Sequence, residues 1–270
     1  MKTFENFLKY DYSMYEENLD DDLTEAIINN NIKFIKEYLN KYDVNRLIYE
    51  EFPILVLVNN DANIGIFKLF IEKGVNIEAQ SDDENKTALL LLSESSNRKV
   101  DYHYSIIKLL LENGANINAT TITDNNAMLL SIENIRTSNK IQKLLIKYGI
   151  NINHQNIYLD TLLNSEVYNS EPLEDHEIHK DMILLLLKHK DIDLSIKDSD
   201  GNDFYGNLIL LVNKLEEKKR ITNKRIWKNR LNRTLNMIDY IKEQQPKIYE
   251  KYIEETHNFK KREKSKKFNL

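Results

Sequence analysis

Four sets of side chains in this 270-residue sequence have types and spacings that could do chemistry. The first is His176 and His179 in the run Glu174-Asp175-His176-Glu177-Ile178-His179, a His-x-x-His pair among carboxylates. Such a pair could begin a metal site, but a closed site needs three or four placed ligands. No further ligand cluster stands at a matching spacing, so the pair reads as a solvated loop and no metal is expected. The second set is acidic and lies in short polar stretches: Asp82, Asp83 and Glu84 with Lys86; Asp124 between Thr123 and Asn125; Asp160 after Tyr158; Asp198 and Asp200. Together these would attract a basic partner surface, although Asp and Asn also suit turns for conformational reasons. The third set is Tyr102 and His103, inside a Tyr-His-Tyr run that could make an aromatic contact. The fourth is basic: Arg220, Lys224, Arg225, Lys228, Arg230 and Arg233. Cations in that density could neutralise nucleic-acid phosphates or face an anionic membrane.

Composition excludes much else. There are no cysteines, so disulfides, thiolate metal sites and cysteine nucleophiles are absent, and a cytoplasmic compartment is favoured. The sequence holds no Gly-rich phosphate loop, no Gly-x-Ser-x-Gly elbow and no His-Glu-x-x-His. Neither catalysis nor a cofactor is expected. The first 22 residues lack an uninterrupted apolar core and do not read as a signal peptide. The longest apolar runs, Ala88–Leu92 and Met182–Leu187, are too short to span a bilayer. Charge is unevenly spread. Residues 214–270 carry 18 Lys+Arg against 8 Asp+Glu, while residues 1–213 carry 20 against 35. An acidic body therefore joins a basic end, which points to an electrostatic role for that end.

The elements that must position these side chains are helices. In IIKLLLENGANINA (106–119), Ile106, Ile107, Leu110 and Leu111 share one helix face, and Asn113-Gly114 stops the helix. The phrase recurs as LFIEKGVNIEA (69–79), LLIKYGININ (144–153) and, more loosely, IKFIKEYLNKYDVN (32–45) and MILLLLKHKDIDLS (182–195). Gly74, Gly114 and Gly149 lie 40 and 35 residues apart, and Lys41, matched to Gly74, lies 33 before it. A short helix precedes each phrase, opening at Leu23, Phe52-Pro53-Ile54, Thr87-Ala88-Leu89, Asn126-Ala127-Met128 and Thr161-Leu162-Leu163. The unit is thus about 33 residues, a turn and two helices, with lengthened links at Glu94–Tyr104 and Glu166–Asp181.

These phrases resemble the ankyrin repeat. Asn85-Lys86-Thr87-Ala88-Leu89-Leu90 is the nearest approach to that family's Thr-Pro-Leu-His corner, and Asp200-Gly201-Asn202 with Phe204-Tyr205 looks like a junction between two repeats. Only Phe52-Pro53-Ile54 keeps the corner proline, and leucines 55, 90, 129 and 163 stand in place of the usual histidine. The resemblance implies an all-α ankyrin-repeat solenoid of stacked helix–turn–helix units with a helical C-terminal cap, held together mainly by apolar packing. It divides the chain into an N-terminal capping segment (1–22), about six irregular repeats (23–213), a basic helical cap (214–258) and a disordered basic tail (259–270). In the cap, Trp227, Leu231, Leu235, Ile238 and Ile241 form one apolar side of a helix over 221–244. The resemblance also implies function: a monomeric, non-catalytic scaffold that binds another protein through the groove and the acidic turn tips, in the manner of cytoplasmic adaptors or host-directed effectors. Nucleic-acid binding through the basic C-terminal helices is the alternative, with the tail as a possible nuclear-targeting signal.

Overall fold

The structure, a computed structural model, describes residues 18–94, 99–131, 139–169, 176–222 and 224–268. Residues 1–17 of the expected N-terminal capping segment lie outside this range. Thirteen helices occupy the described residues: α1 (18–28), α2 (Ile32–Lys41), α3 (Pro53–Asn59), α4 (Ile64–Glu72), α5 (Ala88–Glu94), α6 (Val100–Glu112), α7 (Ala127–Leu130), α8 (Lys140–Lys147), α9 (Leu162–Asn169), α10 (His176–Leu187), α11 (Phe204–Thr222), α12 (Arg225–Gln244) and α13 (Pro246–Phe268). No strand is formed among them, only isolated antiparallel bridges at Ile48–Glu51, Gln80–Thr87 and Thr120–Asn126.

Local chemistry sets where these helices begin and end. Thr87, Asn126, Thr161 and Asp203 each place a side-chain oxygen against an amide of the helix that follows, at 3.4, 3.0, 3.2 and 2.9 Å. This satisfies a donor that the first helical turn leaves unpaired. Pro53 opens α3, where its missing N–H costs nothing. Three helices end alike. The amides of Val75, Ala115 and Ile150 return to the carbonyls of Phe70, Leu110 and Leu145, and the glycine amides return to Ile71, Leu111 and Ile146. That pair of hydrogen bonds needs a left-handed residue, and Gly74, Gly114 and Gly149 sit at φ of 82°, 89° and 82°.

The chain forms two compact units, one holding α1–α8 and the other α9–α13. In the first, α3, α5 and α7 pack in one row and α2, α4, α6 and α8 in a second. Ile66, Phe67 and Phe70 of α4 and Ile106, Ile107 and Leu110 of α6 are wholly buried between them. Each such side chain contributes roughly 1.5–3 kcal/mol. In the second unit α9 packs on α10 and α11, while α12 and α13 cover α11. Phe204, Leu208, Leu215, Leu231, Ile238 and Ile241 fill this core.

Several sequence expectations are corrected. The Glu94–Tyr104 link is not all loop, because α6 starts at Val100 and takes in Tyr102, His103 and Tyr104. No glycine or proline interrupts that run, and His103 falls on the same helix face as Ile106, Ile107 and Leu110. The Glu166–Asp181 link shortens likewise, since residues 166–169 close α9 and 176–181 open α10. On α12 the buried stripe runs through Leu231, Thr234, Met237, Ile238 and Ile241, whereas Leu235 points outward. The segment 259–268, read as disordered, continues α13. Asp20, in the expected N-terminal capping segment, lies within α1 and is buried, pairing with Arg46 and accepting from the Tyr49 amide at 2.9 Å.

Candidate functional site

The turn tips between successive helix pairs are the candidate site, and four of them are built on the same position. Ser81, Thr121, Asn156 and Asp198 each turn a side-chain oxygen onto the backbone of their own tip. Ser81 Oγ accepts from the Lys86 amide at 3.1 Å. Thr121 Oγ1 accepts from the Thr123 and Asn125 amides at 3.3 and 3.2 Å. Asn156 Oδ1 accepts from the Tyr158 and Asp160 amides at 2.9 and 3.0 Å. Asp198 Oδ1 accepts from the Asp200 and Asn202 amides at 3.0 and 2.9 Å, while its Oδ2 accepts from Asn207 Nδ2 at 2.8 Å. Each tip also needs one left-handed residue, supplied by Asn85, Asp124, Leu159 and Gly201 at φ of 54°, 57°, 63° and 79°.

This geometry sorts the acidic residues. Asp82, Asp83, Glu84 and Asp200 are exposed. Hydrogen bonds from the Ser81 hydroxyl and the Glu84 amide hold the Asp83 carboxyl below the usual carboxylate range. Asp124 is half-buried and does conformational work. Asp160 is half-buried too, and burial pushes its carboxyl up. Asp198 is only 4% exposed, so it builds the turn and offers nothing to a partner. Lys86 is half-buried and paired with Glu84 and, at 2.5 Å, with Glu94. Thr123 and Asn125 are spent within their own tip, Asn125 Nδ2 donating to Thr123 Oγ1 at 3.0 Å. Of Tyr102 and His103, also expected to face a partner, His103 is buried and Tyr102 is half-buried. The Tyr102 hydroxyl donates to the Ala62 carbonyl at 2.8 Å, and His103 is buried, its imidazole held below its ordinary pKa by desolvation.

Sequence reasoning missed the apolar part of the tips. Ile122 is 57% exposed beside the Asp82–Glu84 tip, and its amide donates to the Glu84 carbonyl at 3.1 Å, which ties the two tips together. In the second unit Ile157, Tyr158 and Leu159 are exposed side by side, and of these only Tyr158 was singled out from the sequence. The signal was present as apolar residues inside stretches otherwise typical of turns. Unlike the tips, the short helices of the first unit offer little to a partner: Pro53–Leu57, Ala88–Leu90 and Ala127–Leu129 are all buried.

A second layer of bonds fixes the tips by locking neighbouring repeats together. After each helix stop an Asp or Asn accepts from the amide two residues on: Asp43 from Asn45, Asn76 from Glu78, Asn116 from Asn118, Asn151 from Asn153 and Asp193 from Ser195, at 2.9–3.1 Å. The residue so placed reaches into the next repeat. Asn45 Oδ1 accepts from the Asn76 amide at 2.7 Å, Glu78 Oε1 from the Asn116 amide at 2.8 Å, and Asn153 Oδ1 from the Asp193 amide at 2.9 Å. Polar rungs thus supplement the apolar packing expected to join the repeats.

The basic residues belong to the second unit. Arg220, Lys224, Arg225, Lys228 and Arg233 are exposed at the α11–α12 connection and along α12. Arg230 is half-buried with its guanidinium 4.6 Å from the Trp227 ring centre. The side chains of His176 and His179 lie outside the described residues. No helix among the described residues is long and apolar enough to cross a membrane.

Residues 23–121 match a family model described as ankyrin repeats (3 copies). Among solved structures, an ankyrin repeat domain from Acinetobacter baumannii AYE superposes with a TM-score of 0.58 at 19% identity, over 80% of this chain and 97% of that one. No curated protein matches the sequence.

Proposed function

We propose that this chain, whose residues 23–121 match ankyrin repeats, is a non-catalytic scaffold that captures a partner protein through its turn tips. Ankyrin repeats are protein–protein interaction modules. The observation that carries the reading is the paired tip of the first unit, where the exposed carboxylates of Asp82 and Asp83 stand beside the exposed side chain of Ile122 on a hydrogen-bonded backbone. A preorganised surface of this kind loses little entropy on binding. It suits a partner that offers Lys or Arg around a small apolar contact, and an adaptor or host-directed effector would use it so. The buried short helices leave the groove the lesser share of the contact.

The test is affinity capture from the source cells, followed by binding of the purified candidate partner to wild type and to a D82K/D83K variant. Both positions are exposed, but the Asp83 change gives up the bonds from the Ser81 hydroxyl and the Glu84 amide, so the melting temperature of the variant is measured beside wild type to separate lost binding from lost structure. Weakening of about tenfold, with a wild-type affinity that falls as salt rises, is expected from two reversed rim charges. A partner that binds the variant equally well would overturn the tip assignment.

A further inference from the structure

The end of the α11–α12 hairpin combines two features that the tips do not explain. Between Glu217 and Asp239 the chain carries eight cations and no acid. Among them Ile221 is 66% exposed and Ile226 is 50% exposed, close to the ends of α11 and α12. Lys219, Lys224, Arg225 and Lys228 are exposed around these two isoleucines. Just inside them, Trp227 of α12 lies 6.0 Å from Lys218 Nζ of α11 and 4.6 Å from the Arg230 guanidinium, so its ring is flanked by cations.

We propose that this helical corner docks on an anionic phospholipid bilayer surface, with Ile221 and Ile226 entering the headgroup–acyl boundary and the surrounding Lys and Arg side chains meeting lipid phosphates and carboxylates. Charge complementarity requires an anionic partner, and the exposed isoleucines select among anionic partners. Nucleic-acid phosphates would meet the cations and leave two large aliphatic side chains in water, whereas a bilayer takes up both. The Trp227 ring, half-buried and already flanked by the Lys218 and Arg230 cations, is also a poor stacking platform for single-stranded nucleic acid. No spanning segment is involved, and this reading is independent of partner capture at the tips.

The experiment uses the full chain with phosphatidylcholine vesicles, with and without phosphatidylserine, in a sedimentation assay that also follows Trp227 emission. Wild type should sediment with the phosphatidylserine vesicles alone, with a blue shift of the emission, and salt should release it. A cation near an anionic leaflet is worth about a factor of five in partition. A K224E/R225E/K228E variant should therefore bind at least about a hundredfold more weakly. An I221S/I226S variant should keep its fold and lose roughly tenfold. Circular dichroism of both variants separates lost binding from lost structure. Failure of wild type to sediment, equal binding to both vesicle types, or an unchanged I221S/I226S affinity would overturn the proposal. So would tight binding to duplex DNA or single-stranded RNA that survives the I221S/I226S change in a protein that ignores vesicles.

Discussion

Replacing Asp198 by alanine should destabilise the second unit by roughly 3 kcal/mol. The carboxylate is 4% exposed and accepts three hydrogen bonds, from the Asp200 and Asn202 amides and from Asn207 Nδ2. Asn207 is itself 2% exposed, so its stranded donor costs about 1–3 kcal/mol. The two backbone bonds to a charged acceptor add about 1.5 kcal/mol each at the low end, because the freed amides reach water. Relief of the desolvated carboxylate returns part of that sum. Asp198→Asn keeps an oxygen for the two amides, and Asn207 can turn its unpartnered Oδ1 to the new NH2 while stranding its own donor, so it should cost about half as much. Asp200→Ala, at an exposed neighbour that contributes only its backbone, should stay within about 0.5 kcal/mol of wild type. Trp227 is the only tryptophan and lies in the same unit, so urea unfolding followed by its fluorescence reads the relevant transition. Equal losses for the Ala and Asn variants, or a loss below about 0.5 kcal/mol for both, would refute the assignment of Asp198 as the buried keystone of its turn.

Two further expectations follow from buried or constrained groups. Burial depresses the His103 imidazole below its ordinary 6.5, so the folded protein prefers it neutral. The unfolded chain then binds more protons, and the contribution to stability, complete above pH 6.5, should fall away as the pH drops towards the folded value. Melting temperatures of wild type and His103→Gln across that window should converge on acidification; parallel curves would show that folding leaves the titration of His103 unchanged and refute the depressed pKa. Leu159 sits at φ 63° and is 47% exposed, a conformation that asparagine tolerates far better. Leu159→Asn should raise stability by roughly 0.5–1 kcal/mol in thermal unfolding, and a drop would mean that the leucine side chain packs more than its exposure suggests.

The repeat was legible because its punctuation is local. Apolar spacing marked the helices, Gly74, Gly114 and Gly149 marked three stops, and Asn126 and Thr161 marked starts that prove to be caps. The tips were legible only as polar stretches. Ser81, Thr121, Asn156 and Asp198 perform one task with four different side chains, so chemical identity could not align them; backbone register does. For the same reason the acids looked like one class, although Asp83 faces solvent and Asp198 is enclosed by the turn it builds. On α12 the pattern admitted Leu235 as readily as Thr234 to the apolar stripe, and packing against α11 and α13 chose Thr234.

The rungs between repeats have a bearing on how such a chain changes over generations. In each, one repeat gives a side chain and its successor gives backbone groups alone: Asn45 meets the amide of residue 76 and the carbonyl of residue 74, Glu78 the amide of residue 116, and Asn153 the amide of residue 193 and the carbonyl of residue 191. The receiving position carries no requirement on its own side chain from this joint. Mutation can therefore rewrite a repeat while its predecessor keeps hold of it, and the same joint has been made with either an amide or a carboxylate. The joint is also one-way, so a duplicated copy would splice in only head to tail and in frame. A lineage built on this linkage can let its copies drift apart in sequence, and in what their tips display, without losing the stack.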